Sequence, residues 1–211
     1  MYPIEKLTDG FKTFRSGYYQ ERQETYANLF EHGQKPSVAM IACADSRVDP
    51  GIVLQADPGE LFLIRNVANL VPPYDPRRRY QGTSAALEFA THHLQVEHII
   101  VLGHAQCGGI KALFNKQTED EPGNHFIFPW MSLVRPAYER VQWSMPDASE
   151  GEKMSACERR AVLISLDNLM TFPEIREGVE AGRMRLHGWH IDLKAGSLER
   201  FDPASDRFVP V

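Results

Sequence analysis

The chain has 211 residues, of which 43% are hydrophobic and 24% are charged, as in ordinary folded globular proteins. Its 23 Lys and Arg against 28 Asp and Glu give a formal net charge of −5, which argues against a general nucleic-acid-binding protein because phosphate binding needs a basic face. No apolar run approaches the roughly 20 residues of a membrane span, and the polar N-terminal stretch lacks the apolar core of a secretory signal. We therefore predict one domain over residues 1–211, located in the cytoplasm, without nucleic-acid or membrane partners.

The predicted elements alternate between helices and strands along the chain. Residues 3–31 have apolar side chains at helical spacing, and we predict an N-terminal helical arm (1–31) that packs on something else, such as a second subunit. The other predictions are strands at 37–43, 61–65 and 98–103, helices at 83–94, 108–114 and 157–169, and a closing hairpin of 184–193 with 197–201. This order predicts an α/β fold: a central, mostly parallel β-sheet flanked by helices, with an N-terminal helical arm and a C-terminal hairpin.

Chemically unusual residues follow two of these strands. Cys43 ends the first strand, and the third strand is followed by His104 and, three residues later, Cys107. Ligands of such sheets bind beyond the carboxyl ends of the strands. Two thiolates and an imidazole suit zinc, and three protein ligands leave a fourth position open, which is typical of a catalytic zinc site.

Each of these residues taken alone has a simpler interpretation. A buried free cysteine usually packs as a small hydrophobic residue, and a histidine at the end of a strand is usually hydrogen-bonded. Cys157 keeps that interpretation, because no second soft ligand lies at metal spacing. The joint occurrence of the two strand-end groups is what favours a metal site. Three cysteines are also too few, and odd in number, for a disulfide framework.

Asp45 and Arg47 lie two residues apart just after the first strand, so their side chains share one side of an extended segment. They could form an ion pair that only fixes the loop. Alternatively, Arg47 holds the Asp45 carboxylate as a hydrogen-bond acceptor that faces a zinc-bound water. Spacing alone leaves both interpretations open.

These residues resemble a known family. Cys-x-Asp-Ser-Arg at 43–47, followed 61 residues later by Gly-His-x-x-Cys-Gly-Gly at 103–109, is similar to the signature of the β-class carbonic anhydrases. Segments at 58–60, 65–70 and 168–178 extend the resemblance, and segments at 71–74 and 82–86 are similar to the plant-type branch. The resemblance implies a zinc lyase that reversibly hydrates carbon dioxide to bicarbonate and a proton by metal-hydroxide attack.

The resemblance also implies roles for individual residues. One zinc per chain would be bound by Cys43, His104 and Cys107, and Asp45 and Arg47 would be catalytic, with Asp45 itself taking the fourth zinc position in one state. Substrate would be bound by five residues: Gln34, Phe62, Val67, Phe89 and Gly108. Phe89 replaces a tyrosine of the family pattern. The implied partners are carbon dioxide or bicarbonate and further copies of the chain, as a dimer or a higher homo-oligomer.

One branch of the family has a second, inhibitory bicarbonate site, and this chain departs from its pattern. Of the three side chains that the site needs, only Arg65 is present. Met40 and Ile191 replace a tryptophan and a tyrosine, and neither can donate a hydrogen bond to an anion. We therefore predict that this pocket does not bind bicarbonate and that Asp45 stays paired with Arg47 near neutral pH.

Three alternatives to a carbonic anhydrase remain at the level of sequence. A different hydrolase on the same scaffold, such as one acting on carbon disulfide, would differ only in substrate access. A zinc-dependent sensor without turnover is disfavoured by the open ligand set and the Asp45–Arg47 pair. A dithiol redox protein is disfavoured because Cys43 and Cys107 do not form a Cys-x-x-Cys motif.

Overall fold

The computed structural model describes residues 2–115 and 123–211. The strands in these ranges form one six-stranded sheet in the order β2-β1-β3-β4-β5-β6. They are β1 Val38–Cys43, β2 Leu61–Asn66, β3 His98–His104, β4 Arg185–Asp192, β5 Ser197–Asp202 and β6 Arg207–Pro210. The first four in chain order are parallel, and β5 and β6 continue the sheet as antiparallel strands. The predicted α/β fold with a mostly parallel sheet and a C-terminal hairpin is confirmed.

Ten α-helices lie within the described residues and occupy the connections and the N-terminus. They are α1 Pro3–Ser16, α2 Tyr18–Glu21, α3 Gln23–His32, α4 Pro50–Val53, α5 Gly82–Glu88, α6 Gly108–Phe114, α7 Ile127–Met131, α8 Arg135–Ser144, α9 Glu150–Leu169 and α10 Pro173–Glu180. Short 3-10 turns cover Val67–Asn69 and Ser132–Val134. None of the helices in the described ranges has the length and apolar character needed to cross a membrane.

Three predicted helices differ in detail from the structure. The helix predicted at 157–169 begins earlier, at Glu150, and ends as predicted at Leu169. The N-terminal arm is divided into α1, α2 and α3, with breaks at Gly17 and Arg22, whose backbone angles are not helical. The helix predicted at 83–94 is α-helical only as far as Glu88 and continues as a π-helical turn over Phe89–His93. The breaks in the arm and the π-helical turn are features of the backbone, which the apolar spacing of a sequence does not reveal.

The long helix α9 packs closely on the sheet beside the carboxyl end of β3. A Cβ atom on Gly103 would lie 2.6 Å from a Val162 methyl group, and one on Gly188 of β4 would lie 2.9 Å from the other. Glycine at both positions therefore lets the helix approach the backbone of the two strands. This packing brings the first half of α9 against the residues that follow β3.

Candidate metal centre

The parallel pairing of β1 and β3 brings two of the predicted ligands to the same edge of the sheet. Cys43 is the last residue of β1, and His104 is the last residue of the neighbouring β3. A tight turn then leads to Cys107, which precedes α6, and Gln106 in this turn has a left-handed backbone with φ of 56°. The turn bends the chain back so that Cys107 faces the two strand ends.

The three side chains form the one group of His, Cys, Asp and Glu ligands with metal-binding spacing that the described residues contain. Their ligand atoms all lie within 4.8 Å of one another, and all three residues are buried. The two sulfur atoms are 4.0 Å apart. Two sulfurs that each lie about 2.3 Å from a tetrahedral zinc ion would be separated by about 3.8 Å, so the group matches the size of such a site.

His104 supplies an observation that points to a metal directly. Its side chain is 2% exposed, and its Nδ1 lies 2.9 Å from the carbonyl oxygen of Ala105. That hydrogen bond places the proton on Nδ1 and leaves the lone pair of Nε2 free. Nε2 is also the one buried side-chain nitrogen or oxygen atom in the described chain that has no hydrogen-bond partner. Because buried polar atoms are almost always satisfied, this nitrogen fits a ligand to zinc.

The environment of the sulfurs favours the ionised form of Cys43. A hydrogen bond from the Cys107 thiol lowers the pKa of Cys43, and the backbone amide of Ala68 also donates to the Cys43 sulfur at 3.3 Å. The same thiol–thiol contact raises the pKa of Cys107, while the amides of Gly109 and Ile110 oppose this rise. A metal ion that replaces the shared proton would satisfy both sulfurs at once.

Asp45 and Arg47 form a bidentate ion pair at the entrance to this group. Arg47 donates from Nε to Oδ1 of Asp45 at 2.9 Å and from Nη2 to Oδ2 at 2.7 Å, and its backbone N–H donates to Oδ1 at 2.9 Å. These hydrogen bonds hold the pKa of Asp45 well below its usual range. Oδ2 lies 4.0 Å from Nε2 of His104, so a carboxylate faces the three ligands while Arg47 holds it.

Arg65 stabilises the loop that carries this pair. Its guanidinium donates to the backbone carbonyl oxygens of Cys43, Asp45 and Val48 at 2.7 to 3.1 Å. Met40 and Ile191 are 1% and 8% exposed and belong to one apolar cluster on this face of the sheet. The guanidinium of Arg65 is thus held by the backbone, and its Nη1 atom also lies 3.5 Å from Oδ2 of Asp49.

Two of the predicted substrate-binding residues lie beside the ligand group. Val67 follows β2, and its side chain is close enough to Gly109 that a Cβ there would lie 2.9 Å from a Val67 methyl group. The indole N–H of Trp130 donates to the carbonyl oxygen of Val67 at 2.8 Å and fixes this turn. Gly108 directly follows Cys107, and a Cβ on it would meet no atom within 4 Å, so open space adjoins the site.

The other three predicted substrate-binding residues lie at the opposite end of the sheet in the same protomer. Phe62 pairs with Ala39, four residues before Cys43, which places it about 13 Å away along the strand at about 3.3 Å per residue. Phe89 stacks on Phe62 with ring centroids 5.8 Å apart. Gln34 precedes the whole of β1 and is exposed. One protomer therefore does not bring Gln34, Phe62 and Phe89 to its own metal group.

Sequence reasoning missed two contributors to the site. The contribution of Ala68 comes from its backbone N–H and its left-handed conformation, with φ of 63°, for which the side chain gives no signal. Glu158 is 3% exposed and accepts a hydrogen bond from the backbone N–H of Cys107 at 3.1 Å. A charged residue within the apolar stripe formed by Cys157, Ala161 and Val162 was the signal that could have revealed Glu158.

Comparison with known proteins decides the family. The sequence profile described as carbonic anhydrase matches residues 38–198, which include all three ligands. The chain belongs to the carbonic anhydrase family. It is 36% identical to β carbonic anhydrase 3 of Arabidopsis thaliana over 200 residues, which cover 94% of this chain and 77% of that relative.

Two solved β-carbonic anhydrases have the same fold. The structure of CcaA is 31% identical, with a TM-score of 0.92 over 99% of this chain and 92% of that one. The structure of CafA from Aspergillus fumigatus is 27% identical, with a TM-score of 0.83 over 94% of this chain and 90% of that one. The prediction of a zinc-dependent β-carbonic anhydrase, a lyase that hydrates carbon dioxide, is therefore confirmed at the level of the family.

Proposed function

We propose that Cys43, His104 and Cys107 hold one catalytic zinc ion per chain, and that Asp45 and Arg47 serve the reversible hydration of carbon dioxide at that ion. The observation that carries this proposal is the unpartnered Nε2 atom of His104, which is buried beside two sulfurs and faces the Asp45 carboxylate at 4.0 Å. When bound, zinc supplies a Lewis acid that lowers the pKa of a coordinated water to about 7.

The role of Asp45 follows from its pairing with Arg47. Because Arg47 keeps the pKa of this carboxyl low, Asp45 is ionised throughout the neutral pH range. It can therefore accept hydrogen bonds but has no proton to donate. Its Oδ2 atom, on the side of the ligands, accepts a hydrogen bond from the attacking water and fixes the orientation of that water toward the carbon atom of the substrate. While Arg47 binds both carboxylate oxygens, Asp45 would remain its partner and would not become a metal ligand itself.

The substrate pocket is completed by a second copy of the chain in this proposal. Val67 and Gly108 lie beside the ligands of their own protomer. Phe62 lies about 13 Å from Cys43 along the strands, Phe89 stacks on Phe62, and Gln34 precedes β1. A partner protomer would present these three residues to the site, with the two aromatic rings as the apolar wall against which carbon dioxide lies. Gln34 would donate a hydrogen bond to bicarbonate.

The N-terminal arm (1–31) supports the same assembly. Helix α1 buries none of its residues. Even its large apolar side chains Ile4, Leu7 and Phe11 are 70%, 69% and 61% exposed. Three large apolar side chains on one exposed helix need a partner surface. We infer that residues 1–211 form one catalytic domain whose arm packs on a second subunit, giving at least a homodimer.

An inhibitory bicarbonate site is absent from this proposal. The guanidinium of Arg65 is engaged by three backbone carbonyls. The other two positions that the resemblance assigns to such a site are the buried apolar residues Met40 and Ile191. An anion there would find no further donor from these two side chains, and burying it would be costly. We therefore expect that no bicarbonate ion bound beside Arg65 displaces Asp45 from Arg47.

The cytoplasm is the compartment that suits the site best. All three cysteines are free thiols, and the sulfurs of Cys43 and Cys107 are 4.0 Å apart. An oxidising compartment would favour a disulfide between them over the metal site. Reducing conditions keep both available as zinc ligands.

The proposed role of Asp45 is tested by Asp45→Asn, with Asp75→Asn as the matched control. Asp75 binds the backbone N–H and Nε of Arg77, two residues later, at 3.1 and 3.0 Å, and so reproduces the local geometry of Asp45 and Arg47 outside the metal group. Stopped-flow assays of carbon dioxide hydration should show about 10²-fold lower kcat for Asp45→Asn, with zinc content unchanged, and parent activity for Asp75→Asn. If Asp45→Asn and Asp75→Asn behaved alike, the pair would only fix a loop.

A further inference from the structure

A buried carboxylate, Glu158 of α9, lies behind the metal centre and has no role in the mechanism above. Its Oε1 atom accepts the backbone N–H of Cys107 at 3.1 Å, and its Oε2 atom lies 3.4 Å from Nε2 of His190 on β4. Glu158 is 3% exposed and His190 is 2% exposed. Burying a carboxylate is costly unless it is well paired, so its retention at this position calls for an explanation beyond packing.

The peptide unit between Gln106 and Cys107 is held from both sides. Its N–H donates to Glu158, and its C=O, which belongs to Gln106, accepts a hydrogen bond from Nη2 of Arg47 at 2.9 Å. The arginine that holds Asp45 and the buried glutamate thus bind opposite ends of one peptide group. The orientation of this group determines where the Cys107 sulfur points and where the Arg47 guanidinium rests.

This peptide needs such support because of its backbone conformation. Gln106 has φ of 56°, a left-handed conformation that residues other than glycine adopt only when their surroundings enforce it. The turn links His104 to Cys107, so a rotation of this peptide would displace one zinc ligand relative to the other. The hydrogen bonds from Arg47 and to Glu158 are the contacts that oppose the rotation.

We propose that Glu158 is a positioning residue for the metal centre: its carboxylate fixes the Gln106–Cys107 peptide and so sets the Cys107 ligand and the resting place of Arg47 together. His190 holds the second oxygen of Glu158 and is in turn 3.9 Å from the carboxylate of Glu199, which Arg159 binds at 2.6 Å near the surface. Glu158 touches neither substrate nor metal. This inference rests on the proposed zinc site, because it assigns the glutamate a role through one of its ligands.

The test compares three changes at this pair in the zinc-loaded protein. Glu158→Met removes the hydrogen-bond acceptor, whereas Glu158→Gln keeps an acceptor oxygen but removes the charge. The double variant Glu158→Met/His190→Met removes both side chains of the pair, so that neither leaves a polar atom buried without its partner. Cys157→Ala is the control, because Cys157 is buried one residue earlier in the same helix and is not a predicted ligand. The readouts are zinc affinity by competition with a chelator, the visible spectrum of the cobalt-substituted protein, and kcat separately from KM.

We expect the single and the double methionine variants to lose about 10- to 100-fold in zinc affinity and in kcat, with an altered cobalt spectrum. Glu158→Gln should recover most of the loss, and Cys157→Ala should match the parent. The proposal is overturned if folded Glu158→Met, or the double variant where the single one does not fold, has the parent's zinc affinity and cobalt spectrum. It is also overturned if Cys157→Ala loses as much as Glu158→Met. A parent that bound no zinc would instead refute the proposed function.

Discussion

Phe62 stacks on Phe89 with a centroid separation of 5.8 Å, and this pair lies at the end of the sheet opposite Cys43. The register of β1 and β2 fixes the separation, because Phe62 lies beside Ala39 whereas Cys43 lies beside Asn66. Phe62 thus lies about 13 Å from Cys43 along the strands of one protomer, although we propose that both residues serve one active site. We therefore expect Phe62 and Phe89 of one protomer to line the metal group of a second protomer.

A mixing experiment tests this shared site. Gln34→Ala keeps its own zinc ligands, and Cys107→Ser keeps Gln34, so each variant alone should have low activity for a different reason. After the two are unfolded and refolded together with zinc, half of the chains should assemble as mixed dimers with one intact site. Carbon dioxide hydration should then rise well above the sum of the two variants.

The control for that experiment is the double variant Gln34→Ala/Cys107→Ser mixed with the parent. Its mixed dimers also contain one of each chain, but neither of their two sites has both Gln34 and Cys107. A mixture of the single variants whose activity equals the sum of its components would show that each site is built within one chain.

Activity should fall smoothly as the pH decreases below about 7, following the ionisation of a zinc-coordinated water. The reason is that the apolar side chains Met40 and Ile191 donate no hydrogen bond to a bicarbonate ion beside Arg65. Without such a bound ion, Asp45 stays paired with Arg47. A pH series of kcat/KM should fit a single proton, with and without added bicarbonate. A steep cooperative loss near pH 8, deepened by bicarbonate, would contradict this subclass.

The histidine pair at the other end of the sheet should affect stability rather than activity. His98 and His187 have ring nitrogens 3.1 Å apart, and burial, together with His98 and Arg185, lowers the pKa of His187. Below the unfolded pKa of about 6.5, His187 binds a proton more readily in the unfolded chain than in the folded chain. The free energy of unfolding is therefore highest above that pH and decreases as the pH falls below it.

His187→Gln removes that titration and keeps a hydrogen-bonding side chain. Denaturant unfolding between about pH 7 and pH 5 should show a shallower loss of unfolding free energy for His187→Gln than for the parent. His125→Gln, at an exposed position in a turn, serves as the control and should keep the parent's slope. Equal slopes for all three proteins would contradict this assignment.

The sequence allowed the metal group to be predicted because its residues follow apolar, β-branched strands. The parallel fold brings the ends of neighbouring strands together, so Cys43 and His104 could be expected at one edge without coordinates. Contacts between backbone and side chain could not be predicted in this way. The amide of Ala68 on the Cys43 sulfur and the carboxylate of Glu158 on the Cys107 amide depend on turn geometry and helix packing.

Other features depended on information that periodicity does not contain. The arm was predicted as one helix over 3–31, but Gly17 and Arg22 interrupt it without changing its apolar spacing. The π-helical turn at Phe89–His93 is likewise a backbone feature that the sequence pattern does not show. The distance of Phe62 from Cys43 became clear only from the strand register, which depends on how β1 and β2 pair.

X-ray absorption at the zinc edge of the purified protein, together with its zinc content, tests whether Cys43, His104 and Cys107 bind a catalytic zinc ion. We expect about one zinc per chain, with two sulfur neighbours near 2.3 Å and a histidine nitrogen near 2.0 to 2.1 Å. Cys107→Ser should lose zinc and hydration activity together. A spectrum with one sulfur neighbour or none in the parent protein would contradict the assignment of Cys43 and Cys107 as zinc ligands.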